Sequence, residues 1–300
     1  IPMVRGERCG GVPVPKEDLP VKLPEVKSYE PTGTGESPLA AIAKWVNVKC
    51  PHCGGPAKRE TNTMPQWAGS CWYYLAYIMR GISNFQFPIS KYQKAFEKWL
   101  PVDLYVGGVE HATRHLLYAR FWHKALYDLG FVSTKEPFKK LVNQGLILAA
   151  DGRKMSKRWE NVVNPDDTVA AHGADSLRLY EMFMGPFGQP IAWSTNGLVG
   201  MRRFLERAYK LVQSAKFKVQ SDGVERLLHR TIKKVTEDIE SFRFNTAISA
   251  LMILLNEMEK QPVSSVVSRQ SFVNLLAPFA PHLAEELWQA LGNRKSIFLE

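Results

Sequence analysis

Val102-Asp103-Leu104-Tyr105-Val106-Gly107-Gly108 is a short apolar run that ends in two glycines. It reads as a strand entering a tight turn. Glu110 to Leu129 then carries Leu116, Leu117, Ala119, Phe121 and Leu126 at the spacing of a helix packed on a sheet, and Gly130 ends it. Leu141-Val142-Asn143-Gln144-Gly145-Leu146-Ile147-Leu148 reads as a second strand. Strand, helix and strand over 102–148 predict one right-handed βαβ unit of a parallel sheet. Ligands of such sheets bind beyond the carboxyl ends of the strands. Gly107-Gly108-Val109-Glu110-His111 lies at one such end. Gly152-Arg153-Lys154-Met155-Ser156-Lys157-Arg158-Trp159 follows the next, so the two motifs are expected to be neighbours in space.

In the second motif Lys154, Lys157 and Arg158 reach a polyanion, and Ser156 hydrogen-bonds one. An arbitrary basic turn is a solvated surface feature; the strand-end position is what favours a site here. Gly107 and Gly108 let a flat ligand approach the backbone. Glu110 suits a ribose diol, as the acidic residue of dinucleotide folds does. His111 and His115 stand four apart at the start of the helix. No Glu follows His111 directly and no third ligand is evident, so contact with a ligand is favoured over a metal.

Outward from this unit the chain changes character twice. Residues 1–38 are rich in Pro and Gly, which reads as a meandering connector or small ribbon outside any core. Cys50-Pro51-His52-Cys53-Gly54 is one knuckle of a zinc ribbon, and Gly6-Glu7-Arg8-Cys9-Gly10 is its degenerate partner, with Gly6 where a Cys would stand. Cys9, Cys50 and Cys53, with His52, are weak metal candidates. A ribbon held by packing is favoured over an occupied zinc site, which needs four ligands. The run from Ser70 through Cys71-Trp72-Tyr73-Tyr74 to Ile78 is aromatic on every face and predicts a buried helix with Ser70 as its N-cap and Trp72 in the core. Trp67 and Tyr73 are the alternative, a wall facing an apolar ligand. A short helix is expected over 91–100.

Asn164-Pro165 predicts a helix start, and Ala174 to about Met184 a second helix ended by Gly185-Pro186. Beyond a boundary near Ser194 the pattern is helical throughout, over about 196–217, 222–241, 244–260 and 266–291, with a break at Pro262 and a division near Pro278 and Pro281. This is a helical bundle.

A net charge of +10 makes a polyanionic partner plausible without proving one. No apolar run approaches the roughly 18–20 residues that span a bilayer, and no signal peptide is visible. Four Cys in 300 residues argue for a reducing, cytoplasmic compartment rather than a disulfide scaffold. A chain that starts at Ile1 and stops at Ile297-Phe298-Leu299-Glu300 reads as an internal segment of a longer protein.

Lys154-Met155-Ser156-Lys157-Arg158 resembles the Lys-Met-Ser-Lys-Ser signature of class I aminoacyl-tRNA synthetases, departing only at its fifth position. Tyr105-Val106-Gly107-Gly108-Val109-Glu110-His111-Ala112, Leu116 to His123, Leu141 to Gly145, Asn161 to Asp167, Ser70 to Tyr74 and Arg59 to Met64 together resemble the bacterial leucyl-tRNA synthetase family in order along the whole chain. The Glu-His-Ala wording points to leucine, because isoleucyl and valyl relatives carry Asp there without that continuation.

The resemblance implies an α/β fold. Residues 63–194 would be the second half of the Rossmann-like catalytic domain, 1–62 the ribbon-like region before it, and 195–300 a helical anticodon-binding-type domain. It implies that Lys154 and Lys157 stabilise phosphate charge, and that Gly107, Gly108, Glu110, Met155 and Ser156 hold ATP or the adenylate. Trp67, Tyr73, Tyr105, His111 and His115 would line the leucine pocket; family members often show Phe at the Trp67 position. ATP with Mg2+, leucine and tRNA(Leu) are the implied substrates. Arg202, Arg203, Arg207 and Lys210 stand at helical spacing, as ready for tRNA phosphates as for solvent. The His-Ile-Gly-His half, the editing domain and a C-terminal appendage are the family parts not found here. The missing half is expected in cis or as a separate subunit, and the 300 residues alone are expected to be inactive. The alternatives are a non-catalytic tRNA-binding paralogue and an isoleucyl- or valyl-specific enzyme.

Overall fold

The first thirteen residues of the Pro- and Gly-rich start take the small-ribbon alternative. In the computed structural model Met3–Gly6 (β1) and Gly10–Pro13 (β2) are strands. After a helical turn at Ala43–Val46 (α1), Asn47–Lys49 (β3) and Pro56–Arg59 (β4) complete an antiparallel sheet of order β2-β1-β4-β3. Register decides the two faces: Val4, Val12, Val48 and Ala57 alternate inward with Cys50, and Arg5, Lys49 and Lys58 alternate outward. Burying Val4, Val14, Cys50 and Ala57 gives this ribbon a small core of its own. The structure describes all residues except 27, 31, 32, 34, 65, 81–88, 215–221, 261–264 and 300. The expected break at Pro262, the tail of the helix expected to reach 217, and Pro31, Thr32 and Thr34 lie outside the described residues.

The chain divides into two units, Ile1–Asp103 with Glu110–Lys140, and Leu104–Val109 with Leu141–Glu300. Beyond the ribbon, the first unit holds Trp67–Ser70 (α2), Tyr73–Arg80 (α3), Gln93–Trp99 (α4) and His115–Asp128 (α5). Cys71, Tyr74, Leu75, Met79, Phe96, Ala119 and Leu126 form their core. Trp72 packs against it, with its ring 4.8 Å from that of Trp122.

Three expectations are corrected here. Ser70 closes α2 instead of capping a helix: its hydroxyl donates to the Trp67 carbonyl at 3.2 Å, one turn back. The aromatic helix is not buried all round, since Tyr74, Leu75 and Met79 face the core while Tyr77 is 71% exposed and Tyr73 is also exposed. Residues Val109–Thr113 form a 3-10 turn, and α5 starts only at His115 because Arg114 leaves the helical region at ψ −106°.

In the second unit Tyr105–Val106 (β5) pairs in parallel with Leu141–Val142 (β6), Tyr105 opposite Leu141. The apolar run 141–148 is not one strand. Ile147–Leu148 (β7) pairs in parallel with Ile191–Ala192 (β8) in a different sheet. The change of sheet happens at Gly145, whose N–H donates to the Phe187 carbonyl at 2.8 Å. A Cβ on Gly145 would stand 2.0 Å from the Gln189 carbonyl oxygen, so only glycine allows this backbone approach.

The rest of the unit is helical: Pro165–His172 (α6), Ala174–Phe183 (α7), Thr195–Gln213 (α8), Asp222–Glu240 (α9), Phe244–Lys260 (α10), Val266–Leu276 (α11) and Pro281–Ala290 (α12). Asn164 caps α6 through Asp166 N–H at 3.1 Å with Pro165 at the first position, as expected. Ser194 caps α8. The division at Pro278 and Pro281 separates α11 from α12. Leu179 and Tyr180 of α7 share one core with Leu198, Phe204, Ile248, Leu251, Phe272 and Leu287 of the later helices. Among the described residues no helix is long and apolar enough to cross a membrane.

Candidate functional site

Four of the expected pocket residues converge. A cavity of about 400 Å³ in the first unit is lined by Gln66, Trp67, Ser70, Tyr73, His111 and His115. α2 and the start of α3 supply one wall, and the 3-10 turn and the first residue of α5 supply the other. His115 is buried and its Nδ1 lies 3.0 Å from the Ser70 hydroxyl. The Ser70 proton goes to the Trp67 carbonyl. Burial, and then the charge of His111, push the His115 pKa down, so the ring is neutral near pH 7. The His111 ring stands edge-on to His115 at 6.2 Å, and its Nδ1 is buried with no hydrogen-bond partner among the described residues. Such an atom is a place for a ligand to complete. The Tyr73 ring lies 5.9 Å from His115.

Sequence reasoning missed three members of this group. Gln66 and Ser70 line the cavity, and Arg114 stacks on the Trp67 ring at 5.6 Å. Ser70 was legible as a polar residue three positions after Trp67, but its capping reading masked its side-chain role. Glu110 is exposed on the 3-10 turn just before His111.

Tyr105, Gly107 and Gly108 belong to the second unit, at the end of β5. Gly107 N–H donates to the Val142 carbonyl at 3.2 Å, and a Cβ there would meet nothing within 4 Å. The backbone is thus open to a ligand at the place the strand-end rule indicates.

The lysine loop is a built structure. Lys154 makes an antiparallel bridge back to Leu148, Ala149 N–H donates to the Arg153 carbonyl at 2.8 Å, and Gly152 turns the chain at φ +78°. The Asp151 carboxylate holds Arg153 at 2.6 Å, and these contacts keep its pKa below the usual range. Ser156 N–H donates to Asn161 Oδ1 at 2.9 Å, while Ser156 Oγ accepts from Arg158 N–H at 3.2 Å and so caps the 3-10 turn Lys157–Trp159. Arg153 and Arg158 stand 5.0 and 5.3 Å from the Trp159 ring. That contact gives the unexpected Arg158 a structural use. Lys154 and Lys157 are exposed, and among the described residues neither makes an ion pair. Met155 is half-buried between them.

On α8, Arg202 bonds Glu206 and the Ala171 carbonyl, and Arg207 bonds Glu259 and Asn256. Two of these four cations are therefore engaged within the protein, and Arg203 and Lys210 are exposed.

In the ribbon the sulfurs of Cys9, Cys50 and Cys53 lie within 4.8 Å of one another, and His52 Nδ1 is 3.5 Å from Cys9 Sγ. A Cβ on Gly6 would sit 3.4 Å from Cys50 Sγ, so glycine stands where a fourth thiol would reach the cluster. Cys53 and burial push the Cys9 thiol up to about 11, whereas the backbone amides of Cys53 and His52 pull Cys50 down. Three thiols and an imidazole form a donor set that suits zinc.

Parallel strand pairs, an open strand end, a cationic loop and a following helical bundle are the parts of a nucleotide-handling α/β protein. Residues 57–194 match the family of class I tRNA synthetases for isoleucine, leucine, methionine and valine, and residues 223–300 match the anticodon-binding domain of tRNA ligases. The chain belongs to this class I tRNA synthetase family. It is similar over 100% of its length to the LeuRS in a crystal structure of the ternary complex of Agrobacterium radiobacter K84 agnB2 LeuRS, tRNA and LeuAMS, at 37% identity and TM-score 0.84. The chain spans 41% of that protein. Methionyl-tRNA synthetase of Mycobacterium tuberculosis, bound by methionyl-adenylate, shares the fold at 18% identity and TM-score 0.57 over 83% of this chain and 54% of that one. The resemblance to this family is borne out.

Proposed function

We propose that the chain is the part of a leucyl-tRNA synthetase that lines the leucine pocket and grips the ATP phosphates. The complete protein would join leucine to tRNA(Leu) through leucyl-adenylate. One observation carries the reading: Trp67, Tyr73, His111 and His115, singled out by the leucyl resemblance, line one cavity. In this reading 1–62 is the ribbon region, 63–194 the catalytic half and 195–300 the tRNA-facing bundle. The remaining half of the nucleotide site comes from a segment in cis or from a separate subunit.

The leucine carboxylate attacks the α-phosphate in line and pyrophosphate leaves, so the protein's task is orientation and charge stabilisation. Lys154 and Lys157 supply cations to the phosphates from a rigid loop. Glu110 accepts from the ribose hydroxyls, Gly107 and Gly108 admit the adenosine, and Met155 and Ser156 shape the loop beneath it. Neutral His115 and the aromatic walls of the first unit exclude water around the leucine side chain, the role that the family resemblance also gives Tyr105. Mg2+ would arrive on the ATP phosphates, its usual ligands in nucleotide sites.

Pyrophosphate exchange tests this. The complete protein is expected to support leucine-dependent ATP–pyrophosphate exchange, with kcat/KM at least about tenfold above that for isoleucine or valine. The isolated 300-residue chain is expected to give none above background. Equal rates with isoleucine would overturn the leucine assignment.

In the ribbon, Cys9, Cys50, Cys53 and His52 would hold one zinc, whose role is to fix the two knuckles. Titrating the reduced protein with Co2+ is expected to give thiolate charge-transfer absorption that saturates at one equivalent and is lost in Cys53→Ser. Absence of that band would mean a ribbon held by packing alone.

A further inference from the structure

Arg114 is an odd residue for its position. It precedes α5 at the N-cap site, where Ser, Thr, Asp or Asn stabilises a helix by about 1 kcal/mol and a cation opposes the helix dipole. Its side chain makes no cap hydrogen bond, and among the described residues it pairs with no carboxylate. What it does touch is Trp67, with the guanidinium carbon 5.6 Å from the ring centroid. Trp67 starts a helix of only four residues and is half-buried. The neighbouring residue His115 grips the same short helix through Ser70 at 3.0 Å. Arg114 and His115 therefore fasten α2 to the start of α5 at two points, one on Trp67 and one on Ser70.

We propose that Arg114 is a positioning residue that locks the Trp67 indole as a wall of the cavity and so sets the amino-acid side chain the cavity accepts. The proposal rests on the leucine-pocket reading given above. A cation–π contact at an exposed site is worth roughly two- to fivefold in an equilibrium constant. Arg114 acts on leucine binding and not on phosphate chemistry, so the effect belongs in KM for leucine.

The test is a double-mutant cycle on the complete protein, with ATP–pyrophosphate exchange as the assay. Arg114→Ala is expected to raise KM for leucine about two- to fivefold, with KM for ATP unchanged. It should also narrow the preference for leucine over isoleucine. Arg114→Lys, which keeps a cation, should recover most of the loss. In a Trp67→Leu background the Arg114→Ala change should have no further effect. If Trp67→Leu raises KM for leucine but Arg114→Ala does not, or if Arg114→Ala keeps its full effect without the indole, the proposal is overturned and the pocket reading stands. If Trp67→Leu leaves KM for leucine unchanged, the pocket reading falls and the proposal with it.

Discussion

Lys154→Ala in the complete protein is expected to slow leucine-dependent ATP–pyrophosphate exchange by about 10²–10³-fold, the usual cost of one preorganised charge-stabilising group. The loop carries four cations, and their surroundings separate them into two kinds. Arg153 is held by Asp151 and lies over Trp159, and Arg158 lies over the same ring. Those two are spent on shaping the loop. Lys154 and Lys157 are anchored by their backbones, one through the bridge to Leu148 and the other through its carbonyl, which accepts from Glu160 N–H at 3.3 Å, while their ammonium groups stay exposed. A cation fixed at its base and unpaired at its tip is suited to a charge that develops on a ligand. Lys157→Ala should fall in the same range. Arg158→Ser, the residue commoner in the family signature, should stay within about threefold, because the cation–π contact it removes is worth about 1 kcal/mol or less at an exposed site. A Lys154→Ala protein that kept a tenth or more of the exchange rate would remove Lys154 from the chemistry.

The same loop shows what a sequence reveals and what it hides. Its cationic character and its position after an apolar run were legible, because both are local. The role of Arg158 was not, since a stacking partner one residue away leaves no periodic signal. The run 141–148 misled for a related reason. Eight apolar and turn-forming residues read as one strand, yet Gly145 leaves the pleat to meet Gln189, more than forty residues later. Nothing within the run records that approach except the glycine itself. Aromatic residues around all of α3 suggested burial, although Tyr73 and Tyr77 are exposed. A pattern of bulk does not separate a core from a ligand-facing wall. Pro and Gly in the first thirteen residues left connector and ribbon both open, because the stabilising partner β4 lies some fifty residues on. The helix cap at Asn164 and the division at Pro281 were legible, since each depends on a residue's own hydrogen-bonding or ring chemistry.

Asp238→Ala is expected to destabilise the helical part by about 2–4 kcal/mol, since it removes a buried carboxylate that accepts three charge-assisted or hydroxyl hydrogen bonds. Asp238 has a fully buried side chain near the end of α9. It accepts from Arg243 Nε at 2.8 Å and from Thr246 Oγ1 at 2.6 Å, and Lys234 one turn back donates to it as well. Arg243 N–H also returns to the Asp238 carbonyl at 2.7 Å, and Phe242 between them sits at φ +57°. The carboxylate thus ties α9 to α10 across a sharp turn. Arg243 and Lys234 keep about half of their side-chain surface in water, which is why the cost stays below that of stranding two buried charges. Burial alone pushes the Asp238 carboxyl up, but the donors Lys234, Thr246 and Arg243 and the Lys234 charge outweigh it and hold the pKa below the ordinary range. A folded-state pKa below the unfolded value of about 3.9 means that the unfolded chain binds the extra proton first. The stabilisation is therefore fully present above about pH 5 and is lost as pH falls through the folded pKa. Urea unfolding followed by circular dichroism should show the full gap between wild type and Asp238→Ala at pH 7, narrowing steadily below about pH 4. A gap under about 0.5 kcal/mol at pH 7, the size of an ordinary surface change, would show that the turn is held by α9–α10 packing and not by the carboxylate.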